Sequence, residues 1–403
     1  MFARSFPPPV RTDDSNPFAH HTVGVRLPSI ARDTITRNPD YPPRIVNALE
    51  TLARDLESDA PIRRIDDALW APLLDRFAGD TWLHTEWFFA EVYFYRLIIE
   101  AVEWETTHRD PFAPHKLEEL ESAALRQAIF AASEAMPVSA ADRLADRLLR
   151  SMWGNRIDLS LKEVAAHGSH GAADDVLIDD RAAVIAHLLA HRGGVVHVIA
   201  DNAGTELAMD CLLIDALLDG ADDDDLDADD DDAGVPVASQ VILHVKAHPT
   251  FVSDATHDDV LTLLAELGGR GSMTGGFGSV AVAERLQAAI MDGRLVIRPD
   301  TIWNSGTFLF DLLDTIRPLF ADAVLVIQKG DANYRRAIGD AVWETTALFA
   351  DVTRWFPAPL LALRTLKSDP LVGLAPGRAE SLEAIDPLWR VNGRRAIASW
   401  NRD

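Results

Sequence analysis

Six short aliphatic runs in the second half of the chain limit the fold more than any other feature. They are "VVHVIA" (195–200), "QVILHVKA" (240–247), "RLVIRP" (294–299), "AVLVIQKG" (323–330), "PLLALR" (359–364) and "RRAIASW" (394–400). The clearest of them are continuous and rich in β-branched residues, the pattern of a strand buried on both faces. Stretches with apolar residues at every third and fourth position separate them, among them "TELAMDCLLIDALLDG" (205–220) and "THDDVLTLLAELGG" (256–269), where Thr256 is placed to cap a helix. Strands alternating with helices imply a mainly parallel sheet with helices on both faces. The expected fold class is α/β: a three-layer α/β/α sandwich with a mostly parallel sheet.

The first half reads differently. Helical periodicity runs through "RIVNALETLARDLE", "WFFAEVYFYRLIIEAVEW", "HKLEELESAALRQAIFAAS", "ADRLADRLLRSMWGNRIDLS" and "DDRAAVIAHLLAHR", and no clear strand interrupts it. At 403 residues the chain exceeds the usual size of a single core, roughly 250–300 residues. Three segments are expected: an extended N-terminal arm rich in Pro, Arg and Asp (1–45), an all-helical N-terminal domain (46–192), and a Rossmann-like catalytic α/β domain (193–403). An aspartate-rich insertion, "ADDDDLDADDDDAG" (221–234), interrupts the last and reads as a solvated loop. Asp225, Asp227 and Asp229 half-match a calcium loop, but Asp230 stands where that loop needs glycine and the final Glu is missing, so an EF-hand is rejected.

Charge narrows the partners. A net charge of −25 repels nucleic acid backbones and anionic membranes, so neither is expected as a partner. A phosphorylated small molecule could bind only where cations gather locally. The lone cysteine, Cys211, permits no intrachain disulfide, and no secretory leader or membrane-length apolar run is present, so a soluble cytoplasmic protein is expected. The sequence sets no oligomeric state.

In a doubly wound sheet, ligands bind at the carboxyl ends of the strands. The first strand runs into Asp201, Asn202, Gly204 and Glu206; the second into Lys246, Ser253 and Asp254; the third into Asp300, Trp303 and Asn304. The fourth leads to Lys329, Asp331, Asn333, Tyr334 and Arg335, and the fifth to Arg364 and Lys367. Carboxylate and amide oxygens suit a hard divalent cation, and Lys and Arg suit a phosphate. Together they describe metal-assisted phosphoryl chemistry. Each piece alone has a plainer reading: "DNAG" is a good turn, Asp254 begins a helix, and Lys367 is a surface lysine.

Four stretches in order, "DNAGTEL", "KAHPTFVSDAT", "KGDANYRRAIGD" and "RTLK", resemble the metal-dependent damage-control phosphatase family, in its subfamily III with the Arg-Thr-x-Lys signature. "WFFAEVYFYR" is similar to that subfamily's N-terminal helical signature, and the likeness runs from about residue 20 to the C-terminus. The resemblance implies that Asp201, Asn202 and Asp254 hold a divalent metal (Mn²⁺, Co²⁺ or Ni²⁺, with Mg²⁺ as a further choice) and that Asp201, Asp254 and Lys367 are catalytic. It implies a substrate-binding set of Asp201, Asn202, Asp331, Ala332, Asn333, Tyr334, Arg335 and Lys367. It also implies sugar phosphates such as fructose 1-phosphate and fructose 6-phosphate as substrates, in metabolite damage control. Some members are described as S-adenosylmethionine-dependent protein-glutamate methyltransferases, and Glu206 and Asp254 fall where that cofactor would touch. Read from the residues alone, Glu206 is open between a base, a support behind the metal ligands and a helix N-terminal acid. Methyl transfer is the alternative reading, disfavoured because no glycine-rich methyltransferase loop follows the first strand. A third reading is a non-catalytic acidic binding protein using the aspartate run.

Glu91 and Arg96 are charges inside an apolar helix. Two readings stand for them: an internal ion pair holding the helical half to the sheet, or a roof over the site that reaches substrate. Three further motifs are set aside. "HLLAH" (187–191) lacks the Glu of a zinc helix, "HGSHG" (167–171) is not a nucleophile elbow, and "GGFGS" (275–279) lacks the third glycine of a dinucleotide loop. Cys211 reads as a small buried hydrophobe.

Overall fold

All seven strands join one sheet. The computed structural model describes residues 6–134, 139–154, 175–220, 234–269 and 277–402. The strands are β1 (Val176–Asp179), β2 (Gly194–Ile199), β3 (Ala238–Lys246), β4 (Leu295–Asp300), β5 (Ala323–Lys329), β6 (Leu360–Thr365) and β7 (Ala396–Asn401). Their order is β1-β7-β6-β5-β2-β3-β4, and neighbours run parallel except the β6–β7 pair. The continuous apolar runs are buried on both faces. Val196 and Val198 of β2 enter a core with Leu325 and Ile327 of β5, while Ile199 and Val326 enter the opposite one with Phe320 and Trp303. This is the expected α/β/α sandwich.

The longer helices among the described residues are α1 (Leu27–Arg37), α2 (Pro43–Glu57), α3 (Trp87–Ala101), α4 (Ala113–Leu120), α5 (Ala123–Glu134), α6 (Ala140–Trp153), α7 (Arg181–Ala190), α8 (Thr205–Leu218), α9 (His257–Gly268), α10 (Phe277–Met291), α11 (Asp331–Ile338) and α12 (Arg378–Ile385). α2 and α3 lie in a separate helical core, where Leu49, Leu52 and Leu56 of α2 share burial with Phe88, Tyr93 and Phe94 of α3.

Three segment expectations need correction. The extended arm is helical over much of its length: Pro17–His21, a π-turn at Thr22–Arg26, and α1 follow one another without a break. A proline at N1 or N2 starts two of these pieces, which suits a helix start as well as an extended arm. The span 46–192 is not wholly helical, because "VLID" forms β1 beside β7. Nor does the helical layer stop at the sheet: Leu125, Leu148 and Val184, from α5, α6 and α7, share a core with Val196 and Leu207. The α/β unit therefore draws in helices that precede residue 193.

Local signals explain the elements around the site. Thr256 caps α9 in a full capping box with Asp259, as its position suggested. Cys211 is buried in α8. His187 bonds to the Val324 carbonyl and His191 to the His187 carbonyl, so "HLLAH" ties a helix to the sheet. The aspartate run up to residue 233, "HGSHG" and residues 275–276 lie outside the described residues. Among those described, no helix is long and apolar enough to cross a membrane.

Candidate active site

The chain leaves β2 in the middle of the sheet, builds β3 and β4 on one side, then returns to place β5 on the other. The carboxyl ends of β2 and β5 thus flank the switch point, where a ligand crevice forms. Backbone bonds fasten the two loops that carry the predicted acids. Ala203 N donates to Ser253 O (2.7 Å) and Ala255 N to Asp201 O (2.8 Å), with a bridge pairing Asn202 and Asp254. These contacts bring together two residues more than fifty positions apart in the chain.

The loop before Asp254 is strained. Phe251 and Val252 both have left-handed backbones, with φ of 49° and 68°, a conformation that is rare for a β-branched residue. Tyr95 of α3 braces this turn with its ring 4.8 Å from that of Phe251. The apolar helix "WFFAEVYFYR" therefore supports a site loop through an aromatic contact.

Buried charge dominates the centre. Asp201, Asn202, Glu206 and Asp254 are all buried, and so are Lys246 and Lys329. Asn202 Nδ2 donates to Asp201 Oδ2 (2.8 Å) and Glu206 Oε2 (3.0 Å), while its Oδ1 accepts from Ser253 Oγ. Lys246 Nζ lies 3.2 Å from Asp254 Oδ2 and donates to the Trp303 carbonyl (3.0 Å). Lys329 Nζ donates to Glu206 Oε1 (2.8 Å) and to the Ser151 carbonyl (2.6 Å), and lies 3.0 Å from Asp210 Oδ1.

The protonation pattern arises from this crowding. Burial, then the charges of Glu206 and Asp254, push Asp201 well above the ordinary carboxylate range. Burial also raises Asp254, against the pull of Lys246. Glu206 goes the other way: burial works to raise it, but Lys329 and Lys367 outweigh that and hold it low. Burial lifts Asp210 to about 6 in spite of Lys329. Lys367 is exposed and acts on Asp201 and Glu206 through its charge.

A divalent cation fits this donor set. Asp254 Oδ2 is buried with only the Lys246 ammonium near it (3.2 Å), and the Asp254 charge disfavours the anion of Asp201. Among the described residues no three His, Cys, Asp or Glu side chains converge as a metal cage. The protein ligands would therefore be two carboxylates and the Asn202 amide, a partial set of the kind Mg²⁺ or Mn²⁺ completes with water or substrate oxygen.

The other predicted residues divide clearly. Asp331 stands at the start of α11 and accepts from Arg364 Nε (2.8 Å) and from the Lys367 backbone (3.0 Å), so it fixes the loop that carries Lys367. Ala332 is half-buried on the same turn. Asn333 Nδ2 is spent on the Ala200 (3.1 Å) and Lys329 (2.9 Å) carbonyls, bracing β2 against β5. The Tyr334 hydroxyl accepts from Val372 N (3.1 Å), with the Arg364 guanidinium over its ring. Arg335 is fully engaged by Asp340 and Glu91 beneath the Trp87 ring (3.6 Å). Glu91 thus takes the ion-pair reading, with Arg335 rather than Arg96 as its partner. Arg96 pairs with Asp67 (3.0 Å).

Several site residues carried no individual sequence signal. Glu119 Oε1 of α4 accepts from Thr205 N (2.9 Å) at the start of α8, and its carboxylate presses on the Gly204 Cα. Asp210 reads as one helix acid among many. Lys329 reads from sequence as one of the strand-end cations suited to a phosphate, and Lys246 as a further strand-end group. The structure instead buries both against acids, Lys246 on Asp254 and Lys329 on Glu206 and Asp210.

A mostly parallel α/β fold with buried carboxylates and lysines gathered at its switch point is the frame of a ligand-binding enzyme. The chain matches the family described as "Damage-control phosphatase ARMT1-like domain" over residues 24–225 and 234–382. It is 28% identical over 450 residues to damage-control phosphatase ARMT1 of Danio rerio, covering 95% of this chain and 94% of that protein. The ARMT1 proteins of Mus musculus and Homo sapiens are 27% and 25% identical, each match covering 96% of this chain and 97% of the relative. A solved DUF89 family protein from Pyrococcus horikoshii superposes with a TM-score of 0.48 at 14% identity, covering 95% of this chain and 98% of its own. The chain belongs to the ARMT1-like damage-control phosphatase family.

Proposed function

We propose that the protein is a divalent-metal-dependent phosphatase that hydrolyses small sugar phosphates of the fructose 1-phosphate and fructose 6-phosphate type. The observation that carries this reading is the burial of Asp201, Asn202 and Asp254 together at the ends of β2 and β3, with Lys367 exposed beside them. Asp201, Asn202 and Asp254 would hold the cation. When bound, it would neutralise phosphate oxygens and lower the pKa of a bound water.

The chain's own groups supply the rest. Lys367 is free to meet the equatorial oxygens of the phosphoryl group, where a fixed cation counts most in the transition state. Asp331 holds the Lys367 backbone, and Arg364 holds Asp331, so the Arg-Thr-x-Lys segment reaches the crevice from a rigid base. Glu206, kept ionised by Lys329, holds the Asn202 amide by its NH₂ group. A cytoplasmic setting fits the single buried thiol of Cys211.

Phosphate release from fructose 1-phosphate and fructose 6-phosphate, with Mn²⁺, Co²⁺, Ni²⁺ or Mg²⁺ and with EDTA, tests this reading. Release is expected with a divalent ion and not with EDTA. Equal release in EDTA, or none with any of the four ions, would sink it.

A further inference from the structure

The proposed metal ligands are backed by a buried chain of contacts that ends in the helical half of the molecule. Lys329 sits at the last position of β5 and is 0% exposed. Its ammonium reaches Glu206 and Asp210, one turn apart on α8, and the Ser151 carbonyl in the last turn of α6. A cation at a helix C-terminus satisfies a carbonyl that the helix itself leaves open. Ser151 Oγ closes the ring by donating to Asp210 Oδ1 (2.6 Å). Gly154, just past α6, has φ of 46°, and a Cβ there would lie 2.9 Å from the Glu206 side chain, so the backbone walls Glu206 in.

Consequently Glu206 has one arrangement: Oε1 on Lys329 and Oε2 on Asn202 Nδ2. An amide can be turned end for end, and only its neighbours decide which way it faces. Two acceptors, Glu206 Oε2 and Asp201 Oδ2, take the Asn202 NH₂, while Ser253 Oγ donates to its oxygen. That fixes the oxygen, the only metal-binding atom of the amide, on the side of the Asp254 loop.

We propose that Lys329 is a positioning residue for metal binding: through Glu206 it locks the Asn202 amide with its oxygen turned toward the loop that carries Asp254. The inference rests on the reading of Asp201, Asn202 and Asp254 as a metal site. Lys329 touches no reacting atom; it acts through Glu206. Partners standing behind the ligands of a metal site change affinity or activity about 10–100-fold when removed.

The test is Mn²⁺ affinity by isothermal titration calorimetry on the full chain, without substrate, with thermal melting alongside. Lys329→Met is expected to weaken Mn²⁺ at least about 10-fold and to lower kcat with KM for the phosphate ester little changed. Asp210→Asn disturbs the same buried cluster but leaves the Lys329–Glu206–Asn202 chain in place, so its Mn²⁺ affinity should stay within about threefold whatever its melting temperature. Wild-type affinity in folded Lys329→Met overturns the proposal, because a merely structural lysine would move the melting point alone. If Lys329→Met does not fold, Glu206→Ala removes the next link and carries the same expectation, and unchanged affinity there is equally fatal. Absence of Mn²⁺ binding by the wild type also overturns it. A wild type that binds Mn²⁺ yet releases no phosphate removes the phosphatase reading and leaves this test intact.

Discussion

The backbone of Gly330 lies against the carboxylate of Asp201: a Cβ on Gly330 would sit 2.0 Å from Asp201 Cγ and Oδ2. Gly330 also has φ of 84° with ψ of 174°, a region essentially reserved for glycine that costs other residues roughly 1–3 kcal/mol. β5 can close on β2 at the crevice only because this residue has no side chain. Gly330→Ala should therefore displace Asp201 and cut metal-dependent phosphate release by about 10²-fold, the usual order for a misplacement near 1 Å. Steady-state assays, with circular dichroism to confirm folding, check this. Wild-type turnover in the variant would show that Asp201 need not stay where it is.

Asp201 holds its proton to unusually high pH, because burial and the neighbouring acids oppose its charge. A cation must displace that proton in order to bind. Apparent Mn²⁺ affinity should thus rise with pH until Asp201 ionises on its own. Calorimetry in two buffers of different ionisation enthalpy should detect proton release on binding that shrinks as pH rises. An affinity flat from pH 5.5 to 8, with no proton released, would contradict the assignment.

His197 and His244 form a buried, hydrogen-bonded pair across β2 and β3 (2.9 Å). Burial depresses both, and His244 falls to about 3. Below about pH 6.5 the unfolded chain therefore takes up protons that the folded pair refuses, so stability is lost as pH falls toward the folded value. Each such histidine can contribute a slope of roughly 1.4 kcal/mol per pH unit inside that window. Urea midpoints at pH 7.5 and 5 should diverge less in His244→Leu than in the wild type. Equal divergence would mean that the pair does not control acid stability.

Glu91 and Asp340 share Arg335 under Trp87. Removing one partner of a buried pair costs about 3–5 kcal/mol, and the lower end applies here because Asp340 remains. Glu91→Ala should lower the urea-derived stability by about 3 kcal/mol while leaving KM within a few fold. A large rise in KM with unchanged stability would return Glu91 to the substrate.

The strands, the parallel sheet and the Thr256 cap are legible in the sequence because each rests on local pattern. All six aliphatic runs lie in strands, and Thr256 needs only its own neighbours to act. β1 escapes a sequence reading because "VLID" is short and its pairing depends on β7, some two hundred residues away. In the site, strand-end position offers Asp201, Asn202 and Asp254 among many polar candidates, and the family resemblance singles them out. Asn333, Tyr334 and Arg335 look alike in sequence, as polar residues on one helical turn. Only the packing reveals that the Asn333 Nδ2 group, the Tyr334 hydroxyl and the Arg335 guanidinium are held by the scaffold. Glu119 and Asp210 carry no signal, since a helix acid gains meaning only from the distant group it meets.

The central claim is that Asp201 and Asp254 together hold the cation on which phosphate release depends. It is tested most directly by Mn²⁺-dependent phosphate release from fructose 1-phosphate and fructose 6-phosphate, in parallel for the wild type, Asp201→Ala and Asp254→Ala. Release should fall to the EDTA background in both variants, with folding retained. Mn²⁺-stimulated release at the wild-type rate in either folded variant would contradict it.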